Sequence, residues 1–389
     1  MIKMLTARTD KFYDPEIAVQ EILSQIDIAH DLRANSAGVI ACYHEFVEYG
    51  VTEAIAGALP FDVIGCTVMG NATSDASGPE LLSLTVLTSD ELEFAAALSG
   101  PISDGGEEAP IRGAYDRARG NLGGDPALIF CLAPIMTDVS GDLMVRLLDN
   151  YSGGNIPIFG TLSNDTALTY ENARVFLNGE SHRDKMALLL VRGNIAPAFF
   201  VMSISEKNIY QQSALITGVE GYRLREVNGL PLTSYLESIG IDASGMTAAS
   251  TLPLLVDFGD GAAPIACSMY AISSEGALLG FEVPNGATIT FAEIDYTSVM
   301  DTCAAVMDSA VRYIDENPGR SGVIAVSCLS RFLVLSPESS AEMERARGIV
   351  GGRAPFCLMY SGGEICPVNT ADGRLINRFH NLTYTLMII

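Results

Sequence analysis

The stretch SAGVIACYHEFVEYGVTEAIAGALPFDVIGCTV, residues 36–68, sets the fold class. SAGVIACY is a short apolar run of strand type, HEFVEYGVTEAIAGAL places apolar residues at helical spacing, and FDVIGCTV returns to strand. Strand, helix and strand in so short a span form a β-α-β unit. The pattern continues downstream. LLSLTVL (81–87) and LEFAAAL (92–98), separated by TSDE, predict a hairpin. A helix over about 107–120 leads through GGDP into the strand ALIFCLA, and DVSGDLMVRLLDNY (138–151) reads as a helix with Asp138 or Ser140 as N-cap, followed by the strand IPIFGTL. RVFLNGE (174–180) and MALLLVRG (186–193) predict a further strand pair turning at Asn178-Gly179.

Beyond GNIAPA (193–198) the runs are mostly strands, which predicts largely antiparallel sheet. Two exceptions are a long helix over DYTSVMDTCAAVMDSAVRYIDEN (295–317) and a shorter one over about 338–348. SGVIAVSCLSR and the terminal LTYTLMII read as strands. The expected architecture is α/β, in a mixed α+β arrangement: two strand-rich domains, residues 1–197 and 198–389, with layered mixed sheets covered by helices. Two segments look alike: FDVIGCTVMGNATSD (61–75) and IPIFGTLSNDTALT (156–169) both run from apolar strand through glycine into small polar residues. Both loops are candidates to line a cleft, or to be ordinary turns.

A net charge of −24, from 47 acidic against 23 basic residues, repels phosphate backbones and anionic lipid, so neither nucleic acid nor membrane is an expected partner. The chain carries no secretory-type apolar segment near its start and no run of 18 apolar residues, which predicts a cytoplasmic protein. Eight scattered cysteines without a C-x-x-C pair predict reduced, buried thiols, and the sequons at Asn71, Asn164 and Asn381 are then silent. No metal-ligand spacing and no dinucleotide or P-loop fingerprint occurs; GGE at 362–364 lacks the surroundings of a nucleotide cyclase. No metal and no cofactor is expected.

What remains is a polar constellation at strand ends: SCLSR (327–331), SGGEI (361–365) and HNLT (380–383). Arg331 offers a fork suited to a carboxylate, and Glu364 an acceptor suited to an ammonium or hydroxyl. The bland alternative pairs Arg331 with Glu364 as a structural ion pair. Gly362 and Gly363 are expected to turn the backbone beside Glu364, with Cys328, His380 and Asn381 completing a ligand-binding wall. A second alternative is a thiol enzyme in which Cys328 (or Cys66) is activated by His380, and a third is a scaffold acting through an exposed surface.

The order of VIGCTVMG, VFLNGE, LREVNGLPLTSYLESIG, CLSR, SGGEICP and HNLTYTLMI resembles the FIST family, with its N-terminal and C-terminal FIST domains, over about residues 30–389. The resemblance implies a non-catalytic sensory module of signal transduction that binds a small molecule such as an amino acid or similar carboxylate. Family members join this pair to kinase, chemoreceptor, cyclic-dinucleotide or F-box segments. None is present here, so the expected output passes through a separate protein or through oligomerisation. One branch binds haem and senses nitric oxide; the C-terminal half offers only His380 for that role.

Overall fold

A computed structural model describes residues 2–242 and 251–389. The chain folds as three repeats of one pattern plus an inserted barrel. In the first repeat Asn35–Cys42 and Val63–Thr67 pair in parallel across the helical crossover, and Leu82–Ser89 returns antiparallel between Asn35–Cys42 and the N-terminal strand Ile2–Thr9. The second repeat places Leu128–Ala133 parallel to Ile158–Leu162, with Ala187–Arg192 returning antiparallel beside Glu93–Leu98. In the third, Val323–Cys328 and Phe356–Ser361 are the parallel pair, and Tyr384–Ile388 returns between Val323–Cys328 and Ala198–Met202.

Each repeat also carries a hairpin that it gives away. Gly70–Thr73 and Ser77–Gly78 of the first repeat extend the third sheet; Val175–Leu177 and Glu180–His182 of the second extend the first; Glu364–Asn369 and Leu375–His380 of the third extend the second. The result is three six-stranded mixed sheets linked in a ring. Their facing sides share one core, where Val39, Ile64, Phe130, Leu189, Val326 and Met387 meet. Their outer faces are covered by helices, chiefly Pro15–Gln25 and Val51–Ala58, Glu108–Leu122 and Gly141–Ser152, and Tyr296–Glu316 and Ala341–Val350. Ser140 rather than Asp138 caps Gly141–Ser152, its hydroxyl accepting from the Asp142 amide at 3.2 Å, and Asp295 caps the long helix.

Two expected pairings do not form, for the same reason. Leu82–Ser89 has both edges occupied, by Ile2–Thr9 and Asn35–Cys42, so Glu93–Leu98 cannot fold back on it and pairs with Ala187–Arg192 in another sheet. Ala187–Arg192 is likewise enclosed, and the Asn178-Gly179 turn instead closes the short hairpin of Val175–Leu177 with Glu180–His182. Both enclosed strands are buried at nearly every position, and central strands of that kind carry no alternation to reveal their neighbours. SGVIAVSCLSR also divides: the strand stops at Cys328 and a helix, Leu329–Val334, begins.

Between Ala198–Met202 and Tyr296–Glu316 a wholly antiparallel seven-stranded sheet closes on itself through Ile209–Glu220 and Arg223–Val227, forming a barrel. Helix Leu232–Ser238 packs against it, with Tyr235 stacked 6.0 Å from Phe291. The barrel touches the ring through the Ala371 amide donating to Gly261 O at 3.0 Å, the Arg378–Asp260 ion pair, and the Ser268 amide donating to Asn381 Oδ1 at 3.4 Å.

The two look-alike segments occupy the same place in repeats one and two: each is the second parallel strand and the loop after it. Gly65 and Gly160 sit opposite Ile40 and Cys131 of the first parallel strand. A Cβ at Gly160 would lie 1.8 Å from the Cys131 carbonyl oxygen, a backbone atom that has no freedom to move away. Gly160→Ala is therefore expected to destabilise the fold by about 3 kcal/mol or more, at the upper end of overpacking costs, measured by chemical denaturation. A loss under about 0.5 kcal/mol would show that the parallel strands are not held this close.

Candidate functional site

The loops after the three second parallel strands converge. Asn164 N donates to Thr67 O at 3.0 Å, Thr67 Oγ1 donates to Asn164 O at 2.7 Å, and Asn164 Nδ2 donates to Tyr360 O at 3.3 Å. Met69 N also donates to Tyr360 O, while Gly362 N donates to Leu162 O and Leu162 N to Gly363 O. The look-alike loops thus form a hub; of these loop residues only Leu162 and Gly362 line the cleft beside it.

That cleft, about 680 Å³, opens between hub and barrel. Its walls are Ile135–Gly141 and Tyr170 from the second repeat, Tyr222, Ser268, Tyr270 and Leu278–Gly280 from the barrel, and Cys328–Ser330, Gly362, Phe379 and Asn381 from the third repeat. The size is that of a small-molecule site, and the mixture of apolar walls with a few hydrogen-bonding groups fits one. Among the described lining residues none is Lys or Arg, and the one formal charge, Asp138, is exposed. Burial raises the pKa of Tyr170, Tyr222 and Tyr270, so all three keep their phenolic protons and can donate. Tyr170 and Leu168 hold positive φ, +61° and +58°, in the loop that brings the Tyr170 ring to the cleft. Side chains of that kind are disfavoured in this region, and such strain gathers at ligand sites.

The expected site residues divide into three groups. Cys328, Gly362 and Asn381 line the cleft. Glu364 lies behind them, fully buried: its Oε2 accepts from the Thr383 amide at 3.1 Å and the Thr383 hydroxyl at 2.5 Å, its Oε1 from Ser361 Oγ at 3.3 Å, and the Cys328 thiol also donates to it. Burial outweighs those donors and pushes its pKa up to about 8, so at pH 7 the carboxyl is mostly neutral. Gly363 is needed for space rather than for a special turn, since a Cβ there would lie 2.4 Å from the Phe379 ring. His380 faces Glu364 across the strand pair but is fully buried and outside the cleft lining; its Nε2 donates to Cys366 O at 2.8 Å, and burial lowers its pKa to about 4.

Arg331 is the clear correction. It was expected to meet a ligand carboxylate, or to pair with Glu364, and does neither. Because Leu329–Val334 is helical, Arg331 turns from the cleft into the interior between sheet and helices. There it is wholly buried and pairs with Glu342: Nε and Nη2 donate to Oε1 at 3.0 and 2.5 Å. Nη1 donates to Ser203 O, and Nη2 also to Val299 O and Thr302 Oγ1. Glu342 Oε2 in turn accepts from Ser327 Oγ at 2.6 Å and Tyr360 OH at 2.7 Å. These two ions are satisfied by each other and by the fold.

The thiol-enzyme pairing fares no better. Burial pushes the Cys328 thiol up to about 12, which leaves roughly one thiol in 10⁵ ionised at pH 7, and His380 has its Nε2 proton committed to Cys366. Cys66, the other candidate, is also buried and raised to about 12. All eight cysteines are free and buried. Among the described residues no cluster of three or more His, Cys, Asp or Glu could hold a metal ion, and no helix is long and apolar enough to cross a membrane. His380, the residue weighed for a haem, is fully buried outside the cleft lining, with its Nε2 on Cys366 O. The tyrosines, Ser268 and the Ile135–Gly141 segment were not legible as site residues, because they reach the cleft only once the barrel is docked.

Arg331→Ala leaves the Glu342 charge buried without its partner, and is expected to cost about 3–5 kcal/mol in denaturant unfolding. The Glu342→Ala change should cost much less in that background than in wild type; additive losses would contradict the pairing. For Glu364, raised from 4.5 to about 8 on folding, the folded state keeps a proton that the unfolded chain releases above pH 4.5. Its contribution to stability is therefore full below pH 4.5 and lost as pH rises to 8, at about 1.4 kcal/mol per unit. Glu364→Gln should remove that slope, so that the variant gains on wild type between pH 5 and 8; parallel profiles would show that Glu364 is ionised throughout.

Comparison with known proteins adds a family. The FIST N domain matches residues 37–230 and the FIST C domain residues 231–367. No curated protein matches the sequence. Among solved structures, a cyanuric acid hydrolase from A. caulinodans aligns over 100% of this chain and 99% of its own, at 10% identity and a TM-score of 0.35, a likeness too low to carry an argument.

Proposed function

The chain belongs to the FIST family of small-ligand sensory domains, and from that premise we propose that the cleft between hub and barrel is its ligand site. The observation that carries the reading is the convergence of three tyrosines, Ser268, Ser330, Asn381 and the Cys328 thiol on one apolar-walled cavity of about 680 Å³. The ligand class follows from the charges. An amino acid or similar carboxylate was expected from the family resemblance, with Arg331 as its candidate anchor, and that guanidinium is held by Glu342. With neutral donors and acceptors lining the interior, the site favours a small uncharged molecule with hydrogen-bonding edges and an apolar body; desolvating a free ion here would find no countercharge.

Thermal unfolding against a panel of neutral heterocycles, amides, amino acids and carboxylates tests this. A true ligand at a hundredfold excess over its Kd stabilises the folded state by about 2.7 kcal/mol, visible as a raised midpoint. Ser330→Trp, which fills the cleft from a half-buried position, should fold and lose that shift. A shift that persists in Ser330→Trp places the ligand elsewhere, and a shift confined to carboxylates overturns the ligand class.

A further inference from the structure

On the first repeat, well before the hub residues in sequence, aromatic side chains run from the core to the surface. Phe46 is fully buried; Phe12 packs on it at 5.8 Å and on Tyr13 at 3.9 Å; Tyr13 packs on Tyr49 at 5.1 Å. Tyr13 and Tyr49 are 69% and 49% exposed, and Ile17, in the first turn of helix Pro15–Gln25, is 43% exposed. Rings so exposed and so joined form a patch rather than scattered apolar residues, which are ordinary. The first repeat does not need them for its own core, because Phe46, Ile22, Val51 and Ile55 are buried beneath.

Charge selects the occupant. Segments 10–21 and 43–53, which carry these rings, hold seven acidic residues (Asp10, Asp14, Glu16, Glu21, Glu45, Glu48 and Glu53) against one Lys or Arg, Lys11, which pairs with Asp10; from neighbouring elements Arg8 acts on Asp10 and Arg174 on Glu48, so the acids remain in excess. A second copy seated face to face would set these acids against their own duplicates, and an anionic membrane would repel them. Arginine suits both halves of the surface: its guanidinium is attracted to the carboxylates and to the ring faces of tyrosine.

We propose that the Tyr13–Ile17–Tyr49 surface is a docking face for a partner-protein segment bearing arginines beside an apolar residue. Such a face would give the sensor a contact for its output. It stands independently of the cleft, so either reading can fail without the other.

The test uses the full chain and a fluorescein-labelled 14-residue peptide with arginines and leucines along one helical face, alongside the same peptide with glutamate at each arginine. By fluorescence anisotropy the arginine peptide is expected to bind and the glutamate peptide not. The double variant Tyr13→Ser/Tyr49→Ser, which leaves net charge unchanged, should weaken binding at least tenfold, and Tyr13→Phe/Tyr49→Phe should restore most of it; Ile17→Ser provides a second, independent loss. Equal binding by the serine variant would show diffuse charge attraction and overturn the proposal. So would no binding up to 1 mM, or a concentration-dependent dimer of the chain that the serine variant abolishes.

Discussion

Everything in this molecule hangs on the exchange of hairpins at the hub. No repeat completes its own six-stranded sheet; each lends two strands to a neighbour and borrows two from the other. The lent hairpin follows the second parallel strand within a few residues in the first and third repeats and after residues 163–174 in the second; the three loops pass close to one another and satisfy their backbone groups mutually through Thr67, Leu162, Asn164, Tyr360, Gly362 and Gly363. Buried backbone groups without partners are costly. The hub is therefore a set of reciprocal obligations, and removing any one loop leaves the other two unsatisfied.

This architecture explains why polar residues sit at the centre of a chain so rich in apolar ones. Asn71, Asn164, Ser327, Ser361, Glu364, Thr383 and Thr385 are all buried near strand ends or just beyond them. The third repeat handles its charges in two ways on opposite sides of one sheet. Arg331 and Glu342 pair with each other and take five further hydrogen bonds, whereas Glu364, with donors but no cation, holds its proton. The contrast follows from what each carboxylate faces: a guanidinium matches its charge, hydroxyls and an amide do not.

The barrel turns the hub from a structural device into a candidate receptor. It is inserted at the start of the third repeat and comes to rest against the third repeat's own hairpin, through Asp260, Gly261 and Ser268. The cleft is the space left where the barrel meets the ring beside the core they share, a common kind of place for ligands. Its walls come from segments as distant as Ile135 and Asn381, so both the ring and the barrel contribute to it.

Local physics was readable in the chain. The β-α-β unit of 36–68, the choice of Asp138 or Ser140 as a cap, the Asn178-Gly179 turn, the two helices expected at 295–317 and about 338–348, and the buried thiols all depend on residues close in sequence, whose spacing carries the information. So did the kinship of 61–75 with 156–169, and the presence of Cys328, Gly362 and Asn381 at strand ends. Tertiary structure alone decided the partners. Strands buried on both faces, such as Leu82–Ser89, look the same whichever neighbours enclose them, so the exchanged hairpins and the closed barrel left no local mark. Nor could spacing tell that Arg331 lies on a helix turned towards Glu342 rather than at the end of a strand facing a ligand: a shift from strand to helix at Cys328 changes the direction of every side chain after it, and that shift is set by the sheet and helices into which Arg331 packs.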